Sequence, residues 1–409
     1  MLNVLWIGFI LLSFLLACYK FLFLGEGEIF GKLISSLFDD SKTAFEISLG
    51  LTGVMALWLG VMKVGERAGF IDLLARLMAP LFRRLFPDVP DRHPALGAIT
   101  LNMAANMLGL DNAATPLGIK AMKELQTLNK TPDTASDAQI LFLVINTASV
   151  TLLPVTIFTY RAQLGAANPT DVFIPLLLAS FGGTLIGLLA TSFYQRLRLF
   201  DPVTFAYLGG MSAIIGGLAW HFSGLPASQM QQQSAQLGHF ILLAVVVLFV
   251  GGAALRKVNA YEAFIEGAKE GFNTAVTIIP YLVAMLVAIG LFRASGALEI
   301  LMGGIRNLVA HAGFDTRFVD ALPTALMKPF SGSGARAMTI DTMKTLGADS
   351  FAGRLASILQ GSTETTFYVL AVYFGAAGVK RARHAVSCGL IADAGGFAVA
   401  IAVAYWFFA

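Results

Sequence analysis

The stretch VLWIGFILLSFLLACYKFLFL, residues 4–24, constrains this chain more than any other feature. It is one of several apolar runs as long as the roughly 20 residues a helix needs to cross a hydrocarbon core. Of the 409 residues 56% are hydrophobic and only 13% charged, which separates the chain from ordinary soluble domains. An all-α integral membrane protein is expected, because helices satisfy every backbone group within one segment.

Nine spans are predicted: Val4–Leu24, Thr43–Met62, Ile140–Tyr160, Val172–Phe193, Val203–Trp220, Leu237–Leu255, Thr274–Phe292, Leu355–Phe374 and Ala385–Phe408. The first lacks a basic leader and a cleavage site of small residues, so it reads as a retained span. The glycine pairs at Gly182, Gly209, Gly216, Gly251, Gly303 and Gly395 read as close helix contacts. Cys18 and Cys388 lie in apolar helical runs without metal or disulfide spacing. The five histidines show no ligand spacing either.

Between the second and third spans, Phe70, Leu73, Leu74, Leu77, Leu81 and Phe82 share one helical face and Arg67, Arg76, Arg83 and Arg84 the other. Such a segment lies in the membrane interface. With nine crossings, the basic residues near Arg76–Arg92, Arg196–Arg198, Arg256–Lys257 and Lys380–Arg383 share one side. The positive-inside rule makes that side cytoplasmic, with the N-terminus inside and the C-terminus outside a bacterial plasma membrane. The small net charge of +3 and its scatter argue against nucleic acid as a partner.

Two regions, Ala95–Gln126 and Val319–Leu346, read as short apolar arms meeting at a polar tip. NMLGLDNAATPLGIKAMKELQ (106–126) aligns with the second so that Ala114 falls on Ala335, Ile119 on Ile340, Met122 on Met343 and Lys123 on Lys344. KTAFEI and NTAVTI each open the span before a hairpin. These are internal repeats, and five crossings between Thr43 and Thr274 make the halves inverted, an arrangement common in secondary transporters. The expected division is a first repeat with its leading span over 1–200, connecting spans over 201–257 and an inverted second repeat over 258–409.

A re-entrant hairpin leaves unpaired backbone groups inside the membrane, tolerable only against protein or a watery cavity. Asp111, Asn112 and Thr115 at one tip, and Ser331, Ser333 and Arg336 at the other, can cap helix ends or hold a solute. The span after each hairpin is interrupted by polar residues. In INTASVTLLPVTIF, Asn146, Thr147, Ser149 and Thr151 precede Pro154; in LQGSTETTFYVL, Gln360, Ser362, Thr363, Glu364, Thr365 and Thr366 surround Gly361. Both spans are expected to be broken or kinked. Glu364 near mid-span is either a functional group or half of a buried pair with Lys328 or Arg336.

NMLGLDNAATPLGIKAMKELQ resembles the signature of the spore maturation protein A family. PFSGSGARAMTIDTMKTLGADSFAGRLASILQGSTETTFYVLAVYFGAAGVKRARHAV resembles spore maturation protein B, as though two families were fused. Both are similar to nucleoside-recognition, or gate, domains and to the core of concentrative nucleoside transporters. The resemblance implies a span, interfacial helix, re-entrant hairpin, broken helix and span, given twice in inverted orientation. It also implies a solute site at Asn112, Thr115, Asn146, Ser149, Ser331, Ser333, Gln360, Ser362, Glu364 and Thr365, with Glu364, Asp111, Thr147 and Thr363 taking a coupling cation. The first tip, LDNAATP, lacks the Gln-Thr/Ser-Glu character of the transporters.

The expected function is secondary transport of a small polar, nucleoside-like solute coupled to Na+ or H+, without a cofactor, in a chain whose partners are the bilayer, the solute and a second copy in a homo-oligomer. The rival expectation is an accessory or scaffold protein of envelope or spore maturation. No GxSxG, HExxH or paired-carboxylate spacing points to an enzyme.

Overall fold

A computed structural model describes residues 2–109 and 111–409, with side chains for all of these except residues 2 and 111–113. The chain is all-α, with α1 (Leu2–Phe23), α2 (Ile29–Arg67), α3 (Phe70–Leu85), α4 (Pro94–Met107), α5 (Asp111–Thr127), α6 (Asp137–Thr147), α7 (Val155–Gln163), α8 (Phe173–Gln195) and α9 (Pro202–Ser223). There follow α10 (Ala227–Leu255), α11 (Ala260–Ala294), α12 (Ala297–His311), a 3-10 turn (Arg317–Ala321), α13 (Leu322–Met327), α14 (Gly332–Leu346), α15 (Phe351–Ser362), α16 (Thr366–Ala377) and α17 (Ala385–Phe408). Among the described residues no strand forms, and one isolated bridge joins Thr134 to Arg381.

Seven helices, α1, α2, α8, α9, α10, α11 and α17, are long and apolar enough to cross a membrane. The other two expected spans are interrupted helices. Ile140–Tyr160 is divided between α6 and α7, and Leu355–Phe374 between α15 and α16. α6 starts at a capping box in which the Gln139 amide donates to Ser136 Oγ and the Ser136 amide to Gln139 Oε1. It stops at Thr147, where Ala148 leaves the helical conformation, and Pro154 stands at the start of α7. α15 stops at Ser362 because Thr363 and Thr365 are extended.

The regions expected as hairpins are helical pairs, α4 with α5 and α13 with α14. Asn102 Nδ2 donates to the Ala114 carbonyl across the first, 2.7 Å, and the Thr324 and Thr339 hydroxyls lie 3.2 Å apart across the second. The repeat-aligned Ala114, Ala335, Met122, Met343 and Ile340 are all buried. Met122 packs with Phe142 and Leu141 of α6, and Met343 with Leu282 and Leu286 of α11.

Long α2 and α11 cross closely, since a Cβ on Gly267 would lie 2.3 Å from the Leu59 carbonyl oxygen. α8 and α17 meet through Gly183 and Gly396. Of the glycine pairs singled out, Gly182 and Gly395 do press on neighbouring side chains, Val399 and Ile186. The pair at Gly251 does so through Gly252, whose Cβ would lie 2.5 Å from the Phe70 ring, whereas the pairs at Gly216 and Gly303 have open space and Gly209 has only Phe205 beside it. These last three pairs lie on lightly packed faces, so spacing alone overcounted the contacts.

α3 is amphipathic, with Leu81 and Phe82 of the expected face buried beside Ile71, Ala75 and Leu85, while Leu73 and Leu77 are exposed. One apolar flank packs on the protein and the other is left for lipid. Phe205, Ile214 and Trp220 of α9 and Phe240, Leu243 and Val247 of α10 are also exposed, as a chain bathed in hydrocarbon requires.

Candidate functional site

The two hairpins and two helix breaks form one connected polar spine. At the first break, the Leu152 amide donates to the Met107 carbonyl at the end of α4, 3.0 Å. Gly109, at the first tip, has φ +70° and lies so near this break that a Cβ would be 2.7 Å from the Leu153 oxygen. At the second, the Phe367 amide donates to the Pro329 carbonyl in the second tip, 2.9 Å. Phe330 and Phe367 stack with centroids 5.3 Å apart. The breaks join each other where the Glu364 amide donates to the Thr147 carbonyl, 2.6 Å.

These bonds answer the problem that broken helices pose, since each break frees backbone groups that lipid cannot satisfy. The Lys328 ammonium serves the same end, donating to the Gln360 carbonyl in the last turn of α15 at 2.7 Å. Its charge complements the negative end of that helix. Ser331 caps α14 by accepting from the Gly334 amide at 3.0 Å and lies 3.1 Å from the Ser333 hydroxyl.

Around the first break a buried amide network ties hairpin to both halves. Asn146 Oδ1 accepts from Asn106 Nδ2 at 2.8 Å and from the Tyr373 hydroxyl at 3.3 Å, while its Nδ2 donates to the Phe142 carbonyl at 3.1 Å. Tyr373 belongs to α16 and stacks on Phe142 of α6, 5.7 Å between centroids. Neither Asn102, Asn106 nor Tyr373 was expected from sequence. Their partners lie about a helical turn away at best and 271 residues away at most.

The remaining expected residues divide by place. Thr147 and Ser362 are buried and turn their hydroxyls to the Leu143 and Leu359 carbonyls, 3.0 Å each. Ser149 is buried in the first break. Thr365 lies where a Cβ on Gly332 would come within 2.9 Å of its hydroxyl. Gln360 Oε1 and Thr363 Oγ1 are buried with no hydrogen-bond partner in the described residues. Glu364 is exposed, so its side chain faces out of the spine that its amide helps to build. Thr115 is half-buried on α5; the side chains of Asp111 and Asn112 lie outside the described residues.

A cavity of about 260 Å³ opens beside the spine. It is lined by Gly109 of the first tip, Thr156, Thr159 and Tyr160 of α7, Trp58 of α2 and Arg336 of α14. Arg336 places its guanidinium 5.7 Å from the centre of the Tyr160 ring. The pocket therefore offers aromatic faces, hydroxyls and one cation, with walls from both hairpins; of the tip residues named from sequence whose side chains are described, Arg336 lines it and Thr115, Ser331 and Ser333 do not.

Comparison with known proteins gives the arrangement a context. A family model, Gate, described as nucleoside recognition, matches residues 48–164 and 275–380, the two stretches that hold the hairpins and most of the breaks. Spore maturation protein B of Bacillus subtilis (strain 168) is 45% identical over 169 residues, 40% of this chain and 93% of that protein. Spore maturation protein A of the same organism is 38% identical over 180 residues, 44% of this chain and 88% of that protein.

Proposed function

The chain belongs to the nucleoside-recognition gate family, and from that premise we propose that it is a secondary membrane transporter of a small polar, nucleoside-like solute. The observation that carries the reading is the spine itself: tip to break, break to break, break to tip. Broken helices held against helical hairpins are how transporters build a polar site at membrane depth. In this reading both hairpins are re-entrant and each broken pair completes a crossing, giving nine.

The solute occupies the cavity beside the first tip, its ring against Trp58 or Tyr160 and its polar edge toward Thr156, Thr159 and Arg336. Arg336 extends the range to solutes bearing a phosphate or carboxylate. Release requires the tips to part from the breaks, so the bonds at Met107 and Pro329 are the gates. Asn146 and the second break hold the gates in register. The N-terminus is cytoplasmic, as positive-inside counting gives.

Thermal stabilisation of the purified protein tests this reading, with uridine, adenosine, their monophosphates, amino acids and dicarboxylates, each with and without sodium. A ligand that prefers the folded state raises Tm as its concentration passes Kd. A hit lost in Trp58→Ala and Arg336→Gln supports the site. A flat response across the panel contradicts it and favours the accessory-protein reading.

A further inference from the structure

α17 carries a single charged side chain, Asp393, in the ninth of its 24 positions. It is 1% exposed and forms no salt bridge. A carboxyl so placed must be hydrogen-bonded, paired or neutral, because an uncompensated charge at this depth is costly. One oxygen is served: the Thr366 hydroxyl donates to Asp393 Oδ2 at 2.6 Å. The other, Oδ1, is buried with no partner in the described residues.

The surroundings are shaped for this group. Gly389 and Gly396 lie one turn to either side of Asp393 on the same face of α17. A Cβ on Gly389 would be 2.7 Å from Thr366 Cγ2, and one on Gly396 2.8 Å from Thr363 Cγ2. The two glycines thus let both threonines of the second break close over the carboxyl. Thr363 Oγ1 is itself buried and without a partner. The result is a buried carboxyl closed between two threonine hydroxyls of the opposing break, with no cation in ion-pair contact.

The charged groups acting on Asp393 are Lys328 from the second tip and Glu364 from the break. α8 and α16 carry no Asp, Glu, Lys or Arg. On α6, Asp137 pairs with Arg383 ahead of the first turn of α17. On α15, Arg354 lies over Phe408 at the last turn and is held by Asp171. α10 reaches α17 at that same end, through Gln231 and the Phe407 carbonyl. The middle of α17 is therefore shielded from every charge except those two.

We propose that Asp393 is a proton-binding site, at which the carboxyl clasped by Thr366 and Thr363 takes up and releases a proton as the second break closes on and leaves α17. With a proton on Oδ1 the carboxyl donates to Thr363 and the contact is fully hydrogen-bonded. Loss of that proton to water leaves a buried charge that only two hydroxyls and no paired cation compensate, and the break parts from α17. The proposal rests on the transport reading in making this proton the coupling ion, but proton binding is measured without any flux.

Infrared difference spectra of the protein in lipid, between acidic and alkaline buffer, read protonated carboxyls directly. The expected result is a carboxyl C=O band that disappears in Asp393→Asn, persists in Glu364→Gln and changes frequency in Thr366→Val, which removes the donor to Oδ2. Asn keeps an acceptor for Thr366; if that variant still fails to fold, the frequency change in Thr366→Val decides alone. An unchanged band in both Asp393→Asn and Thr366→Val, or a band responding to sodium and not to pH, overturns the proposal. A band as expected in a protein that carries no solute would sink transport and leave the proton site standing.

Discussion

The Glu364 amide and the Thr147 carbonyl are 2.6 Å apart, and this backbone bond joins the two helix breaks. Its strength is independent of the Glu364 side chain. Glu364→Gln is therefore expected to leave Tm nearly unchanged, while Glu364→Pro, which deletes the N–H, costs about 1–3 kcal/mol through the orphaned carbonyl. Equal losses in the two variants would show that the side chain, not the amide, holds the breaks together.

Tyr373 and Asn146 make a second cross-link between halves. Tyr373→Phe keeps the ring stack on Phe142 and removes only the hydroxyl, so a loss of about 1 kcal/mol in chemical unfolding is expected. Gly118→Ala is expected to be worse, about 1–3 kcal/mol, since its Cβ would lie 2.1 Å from the Tyr373 hydroxyl. Wild-type stability in Gly118→Ala would mean that hairpin and α16 are not packed as described.

Much of this architecture was legible in the sequence, and the reasons are local. Pro154 cannot continue a helix, and a run of Ser, Thr and Glu beside Gly361 disfavours an unbroken one in lipid, so both breaks could be placed. Asp393 was undervalued because its meaning depends on Thr366, 27 residues earlier in the chain. Asn102 and Asn106 likewise sit in an apolar arm, where only the arrival of Tyr373 and Asn146 gives them partners.

Arg161 shows the same limit at one end of the bundle. It is wholly buried, donating to Asp171 at 2.8 Å, Asp349 at 3.2 Å and the Ala348 carbonyl at 2.7 Å, so α7 is fastened to the start of α15. Asp171 also holds Arg354 at 2.8 Å. Asp171→Ala leaves two cations, one fully buried, to share the half-exposed Asp349, and should cost about 3–5 kcal/mol in unfolding experiments. A loss under about 1 kcal/mol would show that the cluster is hydrated and not structural.

His384 gives a pH signature outside the spans. Burial first, and the adjacent Arg383 second, hold its imidazole below the ordinary histidine range, and the ring stacks on Tyr194 at 4.9 Å. Between the folded and unfolded values the unfolded chain binds more protons, so stability rises with pH there and is lost as pH falls toward the folded value. Wild-type Tm should fall relative to His384→Gln as pH drops below about 6.5. Parallel pH curves for the two proteins would contradict this.

The central claim is that the spine gates a transported solute, and uptake into proteoliposomes tests it most directly. Radiolabelled uridine and adenosine, with any further solute that raises Tm, would be supplied under a pH gradient and, separately, a sodium gradient. The account predicts uptake driven by the pH gradient and abolished in Asp393→Asn. Uptake no greater than in empty liposomes, for every solute that stabilises the protein, would contradict it.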